Sequence, residues 1–279
     1  MPLAIITGGN IGLGLETARG LVRKGFEVVI TSRDELRARN AIGWLSTEFP
    51  EAKISSLALD LSKAESVDVF AENFASRFGS WDVLVNNAGA KVLSNYSETD
   101  SGIEYHFGVN AVGHFALTAD LFKYRAKSSR VVSVSSIVAR FAPQTLGPFG
   151  SAGSYSPGAS YAASKLSNLL FALELQNRFG SEDFSSVAAH PGFAKAEPYG
   201  PKSTRFFESF LAQSAKQGAL PIIEAATIPA NQGGSYLVPR TLELWGAPKR
   251  AKLFEACNFD NQTLNWKLLE KLSGRKLVL

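Results

Sequence analysis

Short apolar runs alternate with amphipathic segments along most of the chain. The runs Leu3 to Ile6 and Glu27 to Thr31 contain few polar residues, which is typical of central parallel strands covered on both faces. Between these runs, Leu13 to Lys24 has the apolar spacing of a helix, and Gly25 follows as a helix-ending residue. The pattern predicts that a first βαβ unit is complete by residue 31.

The same alternation continues toward the carboxyl terminus. We predict further helices over residues 35–48, 63–78, 101–124, 161–173 and 262–273. We predict further strands over residues 54–59, 81–85, 130–136, 186–190 and 235–238. Residues 141–160 are rich in Gly, Pro and Ser and are predicted to form a loop, whereas residues 193–230 are predicted to be helical but irregular. Because no linker or longer repeat interrupts this pattern, the simplest organisation is one α/β domain over residues 1–279.

The composition is that of a folded globular protein. Of the 279 residues, 45% are hydrophobic and 19% are charged, and no apolar run approaches the ~20 residues that span a bilayer. The amino terminus does not resemble a secretory signal, because Gly8 and Gly9 interrupt its apolar run. The formal net charge of +4 comes from scattered basic residues, so we expect neither nucleic acid binding nor stable membrane insertion.

Cysteine and histidine usage narrows the chemistry further. Cys257 is the only cysteine, so the chain cannot form an intrachain disulfide, and a cytoplasmic location is expected. The three histidines, at positions 106, 114 and 190, are too far apart in sequence for a local metal motif. We therefore expect no metal.

A glycine-rich turn follows the first predicted strand, with the spacing G-x-x-x-G-x-G from residue 8 to residue 14. Glycines permit a sharp turn and a close approach of the backbone to a ligand. A helix that starts directly after such a turn offers free N–H groups and a positive dipole end to a pyrophosphate. The residues predicted to line this phosphate loop are Gly8, Asn10, Ile11, Gly12 and Gly14. On this stretch alone, an ordinary strand–turn–helix with incidental glycines remains the alternative.

The end of the second strand carries the signal for the choice of cofactor. In βαβ units that bind dinucleotides, an acidic residue at this strand end holds the ribose 2′-hydroxyl, whereas an arginine accommodates a 2′-phosphate. Here the strand ends Thr31-Ser32-Arg33, so we predict that NADP(H) is preferred and that NAD(H) remains possible. Alternatively, Arg33 is an ordinary surface charge that opens the next helix.

Further candidates for cofactor binding follow the third, fourth and sixth strands, at the sheet edge where ligands bind in open α/β folds. They are Asp60, Leu61, Asn87, Ala88, Gly89, Pro191, Gly192 and Phe193. Asp60 is placed to accept a hydrogen bond from an adenine amino group, to cap the next helix, or to do both. The small residues Ala88 and Gly89 would let the cofactor lie against the backbone.

Four other residues suit the proton transfer that accompanies hydride transfer to a carbonyl. Tyr161 and Lys165 are one helical turn apart and face the same way. A free phenol has a pKa of about 10. The Lys165 cation and the positive nicotinamide of an oxidised cofactor would both lower that pKa and make Tyr161 a general acid and base. Ser136 would hydrogen-bond the carbonyl oxygen, and Asn110 would place a water that links Lys165 to solvent. Taken alone, Asn110 could equally be a satisfied buried amide.

Together these motifs resemble the ordered motifs of the short-chain dehydrogenase/reductase family. The matching segments are Thr7-Gly8-x-x-x-Gly12-x-Gly14, Asn86-Asn87-Ala88-Gly89, Asn110, Ser136, Tyr161-x-x-x-Lys165 and Pro191-Gly192. The segment Val109 to Phe115 and His190-Pro-Gly are similar to the retinol-dehydrogenase-like branch of the family.

The resemblance implies a Rossmann-type doubly wound parallel sheet of about seven strands in a three-layer αβα arrangement. It also implies an NAD(P)-dependent oxidoreductase that acts on a small-molecule alcohol or carbonyl. The implied catalytic residues are Asn110, Ser136, Tyr161 and Lys165. Long helices beside the sheet often pair in this family, which leaves a homodimer or homotetramer open.

One position departs from the family pattern. The family usually places a threonine five residues after the proline of Pro191-Gly192 to hold the nicotinamide carboxamide, and this chain has Ala196 there. We therefore predict a substrate lid around residues 193–230, in which the segment from Phe193 to about Lys216 is poorly ordered without cofactor. Phe206, Phe207 and Phe210 would give this lid apolar surface, unless they belong to the core.

Two kinds of function are consistent with these features. The first is an NADP-dependent oxidoreductase that interconverts an apolar ketone or aldehyde and its alcohol. The second is a non-catalytic dinucleotide-binding sensor or interaction protein on the same fold, because a fold does not imply an activity. The intact set of four catalytic residues favours the enzyme. The glycine spacing and the short carboxyl-terminal half disfavour a nucleotide-sugar epimerase.

Overall fold

A computed structural model describes residues 1–90, 93–143, 145–148, 150–151, 153–194 and 212–278 of the chain. Within these ranges, eight strands form one sheet. The strands are β1 (Leu3–Ile6), β2 (Glu27–Ser32), β3 (Ile54–Ala58), β4 (Trp81–Asn86), β5 (Arg125–Val134), β6 (Phe184–Ala189), β7 (Tyr236–Thr241) and β8 (Trp245–Arg250).

Helices cover both faces of this sheet. The described α-helices are α1 (Gly12–Arg23), α2 (Glu35–Glu48), α3 (Ala64–Phe78), α4 (Tyr105–Phe107), α5 (Gly113–Phe122), α6 (Pro157–Phe179), α7 (Ala215–Gly218), α8 (Leu220–Thr227) and α9 (Phe259–Ser273). A π-helical turn, Gly108–Val112, joins α4 to α5, and 3₁₀ turns occur at Ile137–Phe141, Ala230–Gln232 and Glu255–Cys257. None of the helices in the described ranges is long and apolar enough to cross a membrane.

The strand order is β3-β2-β1-β4-β5-β6-β7-β8. Neighbouring strands are parallel from β3 to β7, and β8 is antiparallel to β7. The direction of winding reverses between β1 and β4, where Ile6 pairs with Val85. In doubly wound sheets, ligands bind in the crevice beyond the strand ends at this reversal. The predicted Rossmann-type αβα fold is confirmed.

The side chains of β1 show why the predicted central strands are apolar throughout. Ile5 packs into the layer that contains Phe70 of α3 and Phe115 of α5. Ile6 packs into the opposite layer, with Leu21 of α1. Because neither face of the strand meets water, each position has to be apolar.

The sheet extends further than the sequence pattern predicted. β5 begins at Arg125, whereas the sequence pattern predicts a start at Arg130. The pattern misses the first residues because most of them are polar and the strand is buried only from Ser129 onward. β8 was not predicted at all, since Gly246 and Pro248 within it are untypical of strands. Pro248 lies opposite Pro239 of β7, beyond the two residue pairs that join β7 to β6, so neither proline interrupts the parallel part of the sheet.

The helical boundaries also differ from the prediction. The helix predicted over residues 101–124 begins only at Tyr105, after Glu104 accepts hydrogen bonds from the N–H groups of His106 and Phe107 at 3.0 Å and 2.9 Å. The predicted loop 141–160 is shorter, because α6 already begins at Pro157, where proline suits the first turn of a helix. Helix α6 also continues beyond residue 173 to Phe179.

Candidate active site

The glycine turn after β1 packs closely against the segment that follows β4. Gly8 has a positive φ of 63°, which favours glycine. A Cβ atom on Gly14 would lie 2.6 Å from Asn87 Nδ2, too close for any side chain. Asn87 Nδ2 itself donates to the Thr7 carbonyl at 2.8 Å. The predicted phosphate loop and the Asn87-Ala88-Gly89 segment therefore form one unit.

The amino terminus of α1 is open to a ligand. Its N-cap residue, Ile11, makes no side-chain hydrogen bond to the first turn, so the first N–H groups of the helix remain available. A Cβ atom on Gly12 would meet no atom within 4 Å, which leaves room before the helix end, and Asn10 lies half-buried in the same turn. Free N–H groups, a helix dipole and open space suit a pyrophosphate. These residues therefore fit the dinucleotide that the sequence predicts.

Arg33 follows β2 and has an exposed side chain, whose Nη1 donates to Tyr105 Oη at 3.0 Å. The next residue, Asp34, caps α2 by accepting from Arg37 N at 3.0 Å, and Arg37 Nε lies 3.4 Å from its other oxygen. The carboxylate of Asp34 is thus held by its own helix, whereas the guanidinium of Arg33 reaches across to α4.

Asp60 and Leu61 follow β3, as predicted. Asp60 Oδ1 accepts from Ser62 N at 3.0 Å and from Ser62 Oγ at 2.7 Å, which closes a local turn. The N-cap of α3 is Lys63, so the alternative role of Asp60 as the cap of this helix is wrong. Leu61 is buried, and its carbonyl lies against Gly113 at the start of α5.

Pro191, Gly192 and Phe193 follow β6 at the same edge of the sheet. Phe193 N donates to the Leu244 carbonyl at 3.1 Å, and Gln213 Nε2 donates to the Pro191 carbonyl at 2.7 Å. Gln213 N also donates to the Phe193 carbonyl at 2.8 Å, so the chain before and after residues 195–211 is tied together. Residues 195–211 of the predicted lid, which include Ala196, Phe206, Phe207 and Phe210, lie outside the described residues.

Tyr161 and Lys165 lie one turn apart on α6, at the carboxyl edge of the sheet. Lys165 Nζ is 5.8 Å from the centre of the Tyr161 ring and donates to the Val134 carbonyl at 3.0 Å. The side chain of Ser136, two residues beyond β5, lies close enough to the Tyr161 hydroxyl to favour its ionised form. The structure thus brings together the phenol, the amine and the hydroxyl that the sequence singled out.

Burial decides the protonation of two of these groups in the cofactor-free protein. Burial raises the pKa of Tyr161 to about 12, against the smaller opposing effect of the Ser136 side chain. Burial also lowers the pKa of Lys165 to about 8. The predicted lowering of the Tyr161 pKa by Lys165 and the positive nicotinamide concerns the cofactor-bound enzyme and stays a prediction. In the cofactor-free protein, loss of hydration penalises the phenolate and sets the direction of the shift. At neutral pH Tyr161 carries its proton and most Lys165 side chains are charged.

Asn110 lies fully buried in the π-helical turn between α4 and α5. Its Oδ1 accepts from Ala90 N at 2.7 Å, and its Nδ2 donates to Ser164 Oγ at 2.9 Å. Ser164 Oγ in turn donates to the Tyr161 carbonyl at 2.8 Å. The amide is therefore satisfied on both sides and connects the segment after β4 to the backbone of Tyr161. The water that we expect Asn110 to place stays a prediction.

A buried cluster that the sequence analysis missed borders Tyr161. Glu104 Oε1 lies 2.9 Å from His106 Nδ1, and His106 Nε2 accepts from Leu93 N at 3.2 Å. Tyr155 Oη lies 3.0 Å from His106 Nδ1. The His106 ring meets the Tyr161 ring edge-on, with 6.0 Å between their centres. The signal for this cluster was an acidic residue and a histidine, Glu104-x-His106, directly before the turn that carries a candidate catalytic residue.

The fold and the site together define a class of protein. A doubly wound parallel sheet, a glycine turn that fits a dinucleotide phosphate, and a Ser-Tyr-Lys group at the same edge are features of a nicotinamide-dependent oxidoreductase. A sequence model of the family described as short chain dehydrogenase matches residues 2–203. The chain therefore belongs to the short-chain dehydrogenase/reductase family of NAD(P)-dependent enzymes.

Similar proteins support the retinol-dehydrogenase-like branch that the sequence indicated. Retinol dehydrogenase 12 of Homo sapiens is 35% identical over 231 residues, which cover 80% of this chain and 72% of that protein. Polyprenol dehydrogenase of Mus musculus is 35% identical over 251 residues, which cover 84% of this chain and 75% of that protein. A crystal structure of an uncharacterized protein from Mycobacterium Paratuberculosis is 31% identical, with a TM-score of 0.81 over 100% of this chain and 96% of that chain.

Proposed function

We propose that this enzyme transfers hydride between NADP(H) and an apolar aldehyde or ketone, and that it interconverts this carbonyl compound and its alcohol. The observation that carries the proposal is the grouping of Tyr161, Ser136 and Lys165 at the sheet edge where the glycine turn lies. The nicotinamide dinucleotide supplies or accepts the hydride when it is bound. The protein's own groups then orient the carbonyl and move the proton.

The proton chemistry follows from the state of the two titratable side chains. In reduction, the Ser136 hydroxyl orients the carbonyl oxygen, and Tyr161 donates its proton to the developing alkoxide. A phenol whose pKa is raised to about 12 is protonated at neutral pH, as this direction requires. In oxidation Tyr161 must first lose that proton, which the positive charge of Lys165 assists. We therefore expect alcohol oxidation to become faster as the pH rises from neutrality towards 8, the approximate pKa of Lys165, above which this charge is lost.

The preference for NADP(H) rests on Arg33. A guanidinium matches a phosphate group with two parallel hydrogen bonds, and the bond to Tyr105 orients Arg33 in advance. Discrimination in favour of NAD(H) would require a carboxylate for the ribose hydroxyls at this strand end. Ser32 is not acidic, and Asp34 is occupied as the cap of α2.

The choice of an apolar substrate is supported by the relatives and by the sequence. Two similar enzymes are named for retinol and polyprenol, both of which are long apolar alcohols. Phe206, Phe207 and Phe210 add apolar side chains to the segment that follows the sixth strand. We therefore expect long apolar alcohols and the matching aldehydes to be better substrates than small or charged ones.

Steady-state kinetics with purified enzyme test the proposal. The substrates would be retinal, a polyprenal and straight-chain aldehydes, each with NADPH and with NADH. We expect a higher kcat/KM with NADPH, and we expect Arg33→Ala to reduce the NADPH-to-NADH ratio by about tenfold or more. Arg39→Ala, which removes another exposed arginine from α2, should leave the ratio unchanged. Absence of turnover with every carbonyl, or equal kcat/KM for the two cofactors, would contradict the proposal.

A further inference from the structure

His114 lies between the cofactor loop and the catalytic group, and the chemistry described above does not use it. The side chain belongs to the first turn of α5 and is 1% exposed. Its Nδ1 is 2.9 Å from the carbonyl oxygen of Asn110, and its Nε2 is 2.9 Å from Thr7 Oγ1. A single imidazole ring thus connects the π-helical turn to the segment that follows β1.

The hydrogen-bonding partners determine the tautomer of this ring. Because a carbonyl oxygen can only accept, Nδ1 carries the proton and donates it to Asn110. Thr7 Oγ1 already accepts from the N–H groups of Asn87 at 2.8 Å and Ala88 at 2.9 Å. These two bonds fill the lone pairs of the hydroxyl, so its own proton is left to donate. Nε2 of His114 at 2.9 Å and the Val85 carbonyl at 3.2 Å are both within its reach, and the shorter distance favours His114. Each donor in the group then has an acceptor.

The surroundings keep this ring neutral. Burial and, to a smaller extent, the Lys165 cation lower the pKa of His114 to about 4, against the opposing effect of the hydrogen bond to Asn110. A protonated ring would direct a second N–H group at Thr7 Oγ1, which already receives two. At neutral pH the imidazole therefore offers one donor and one acceptor, as its two partners require.

We propose that His114 is a positioning residue, which holds Asn110 and Thr7 in register so that the cofactor loop and the catalytic group are aligned for reaction. This inference rests on the proposed function. A shift at Asn110 would be transmitted through Ser164 to the backbone of Tyr161, because these three residues are joined by hydrogen bonds. A shift at Thr7 would move Asn87 and Ala88, which we expect to lie along the cofactor.

Two conservative variants test the two hydrogen bonds of His114, to Asn110 and to Thr7, one at a time. His114→Asn keeps an N–H donor at the position of Nδ1 but does not reach Thr7, whose hydroxyl then turns to the Val85 carbonyl, 3.2 Å away. We expect this variant to keep kcat within about threefold of wild type and to raise the Kd for NADPH about threefold. His114→Gln keeps an acceptor near the position of Nε2 but loses the donor to Asn110. We expect this variant to keep the Kd for NADPH and to lower kcat about tenfold.

Ser167→Ala is the matched control. It removes another buried side-chain hydrogen bond, 2.7 Å from Ser167 Oγ to Asn265 Oδ1, between α6 and α9. The control should lower the melting temperature without changing kcat or the Kd for NADPH. Equal losses of kcat in the two His114 variants, or losses that follow melting temperature alone across all three variants, would overturn the proposal.

The Kd is measured by fluorescence titration with NADPH and needs no carbonyl substrate. If the wild-type enzyme reduced none of the aldehydes, the proposed function would fail, but the Kd comparison would still test His114. A Kd for NADPH that is the same in His114→Asn and His114→Gln would contradict the positioning role in that case.

Discussion

Tyr161 is the residue whose replacement should separate cofactor binding from chemistry. Tyr161→Phe removes only the hydroxyl that lies near Ser136, and the ring keeps its edge-on packing against His106. We expect the Kd for NADPH to stay unchanged and kcat for carbonyl reduction to fall by about 10² to 10⁴, the usual contribution of a general acid. NADPH titration and steady-state rates measure the two effects. A variant that reduces aldehydes at the wild-type rate would show that another group donates the proton.

Lys165 should give the folding equilibrium a pH dependence of defined sign. Its pKa is about 8 in the folded, cofactor-free protein and 10.5 when exposed, so between these pH values the unfolded chain binds more protons. The free energy of unfolding of the wild type should therefore rise relative to that of Lys165→Met as the pH increases. The expected change is about 2 kcal/mol between pH 8 and pH 10.

Denaturant titrations of both proteins at the two pH values measure this change. Glu270→Gln, an exchange on α9 that leaves Lys165 in place, serves as the control and should show the wild-type slope. A difference between wild type and Lys165→Met that stays constant would mean that Lys165 titrates in the folded protein as it does in water. A difference that falls with pH would mean that folding raises the pKa of Lys165, and either result would contradict the prediction.

At the scale of single residues, the sequence indicated which side chains suit catalysis better than it indicated which side chains contact one another. The spacing of Tyr161 and Lys165 on one helix face was readable, because neighbours on a helix are close in sequence. Ser164 and His114 gave no comparable signal, since their partners Asn110 and Thr7 lie 54 and 107 residues away and meet them only in the folded sheet. The catalytic and cofactor-binding roles of the predicted residues stay predictions that the variants above can test.

The start of α5 should be intolerant of added volume. A Cβ atom on Gly113 would lie 2.6 Å from the Leu61 carbonyl, and a backbone oxygen cannot move aside like a flexible side chain. We expect Gly113→Ala to lower the free energy of unfolding by about 1–3 kcal/mol and to reduce kcat, because the helix would shift together with Asn110.

Gly43→Ala is the natural comparison for this helix substitution. Gly43 lies exposed within α2, and a Cβ atom there would meet nothing within 4 Å. The alanine should therefore be neutral or stabilising by about 0.4–1 kcal/mol, since it restricts the unfolded chain. Thermal unfolding of both variants checks the contrast, and equal stability of the two proteins would refute the steric argument.

At the scale of elements, the predicted bounds were correct where turn or capping residues flank an element, whatever its burial. β1 and α2 have the predicted bounds, because glycine, proline or capping residues lie beside both elements in the sequence. The π-helical turn at Gly108–Val112 could not be predicted, since it inserts no break in the apolar pattern. The start of β5 and the edge strand β8 were not predicted because exposed strands lack the run of apolar residues that marks a buried strand.

The carboxyl-terminal helix α9 closes one face of the molecule. Trp266 is 1% exposed and packs against Phe115 and Phe171, with ring centres 5.2 Å and 5.9 Å away. Trp266→Ala should lower the free energy of unfolding by about 3–5 kcal/mol, because it leaves a cavity in this layer. Among the described residues, the indole N–H of Trp266 has no hydrogen-bond partner, so Trp266→Phe should cost much less. Urea unfolding distinguishes the two variants, and an equal loss would contradict this account of the packing.

For the whole molecule, the order of elements was sufficient to predict the architecture. Alternating buried strands and helices admit few arrangements other than a doubly wound sheet, and the connections in such sheets are right-handed. The assembly state could not be read in the same way, since the sequence pattern reports which faces are apolar and not which surfaces meet another chain. A homodimer or homotetramer therefore stays a prediction.

The strand order also decides when the cofactor cradle can form during synthesis. β7 and β8 are joined by a short turn, and such hairpins close in about 1–10 μs. The pairing of β1 with β4, in which Ile6 lies beside Val85, instead joins residues far apart in the sequence. Asn87, which hydrogen-bonds the segment of the glycine turn, follows β4 directly. Closure over so long a stretch of chain is slow, and it cannot begin while β4 is still inside the ribosome. A nascent chain that has released only its first βαβ unit therefore has the glycine turn without Asn87, which is hydrogen-bonded to it in the folded protein. We expect NADPH to stabilise the chain only after the fourth strand has emerged.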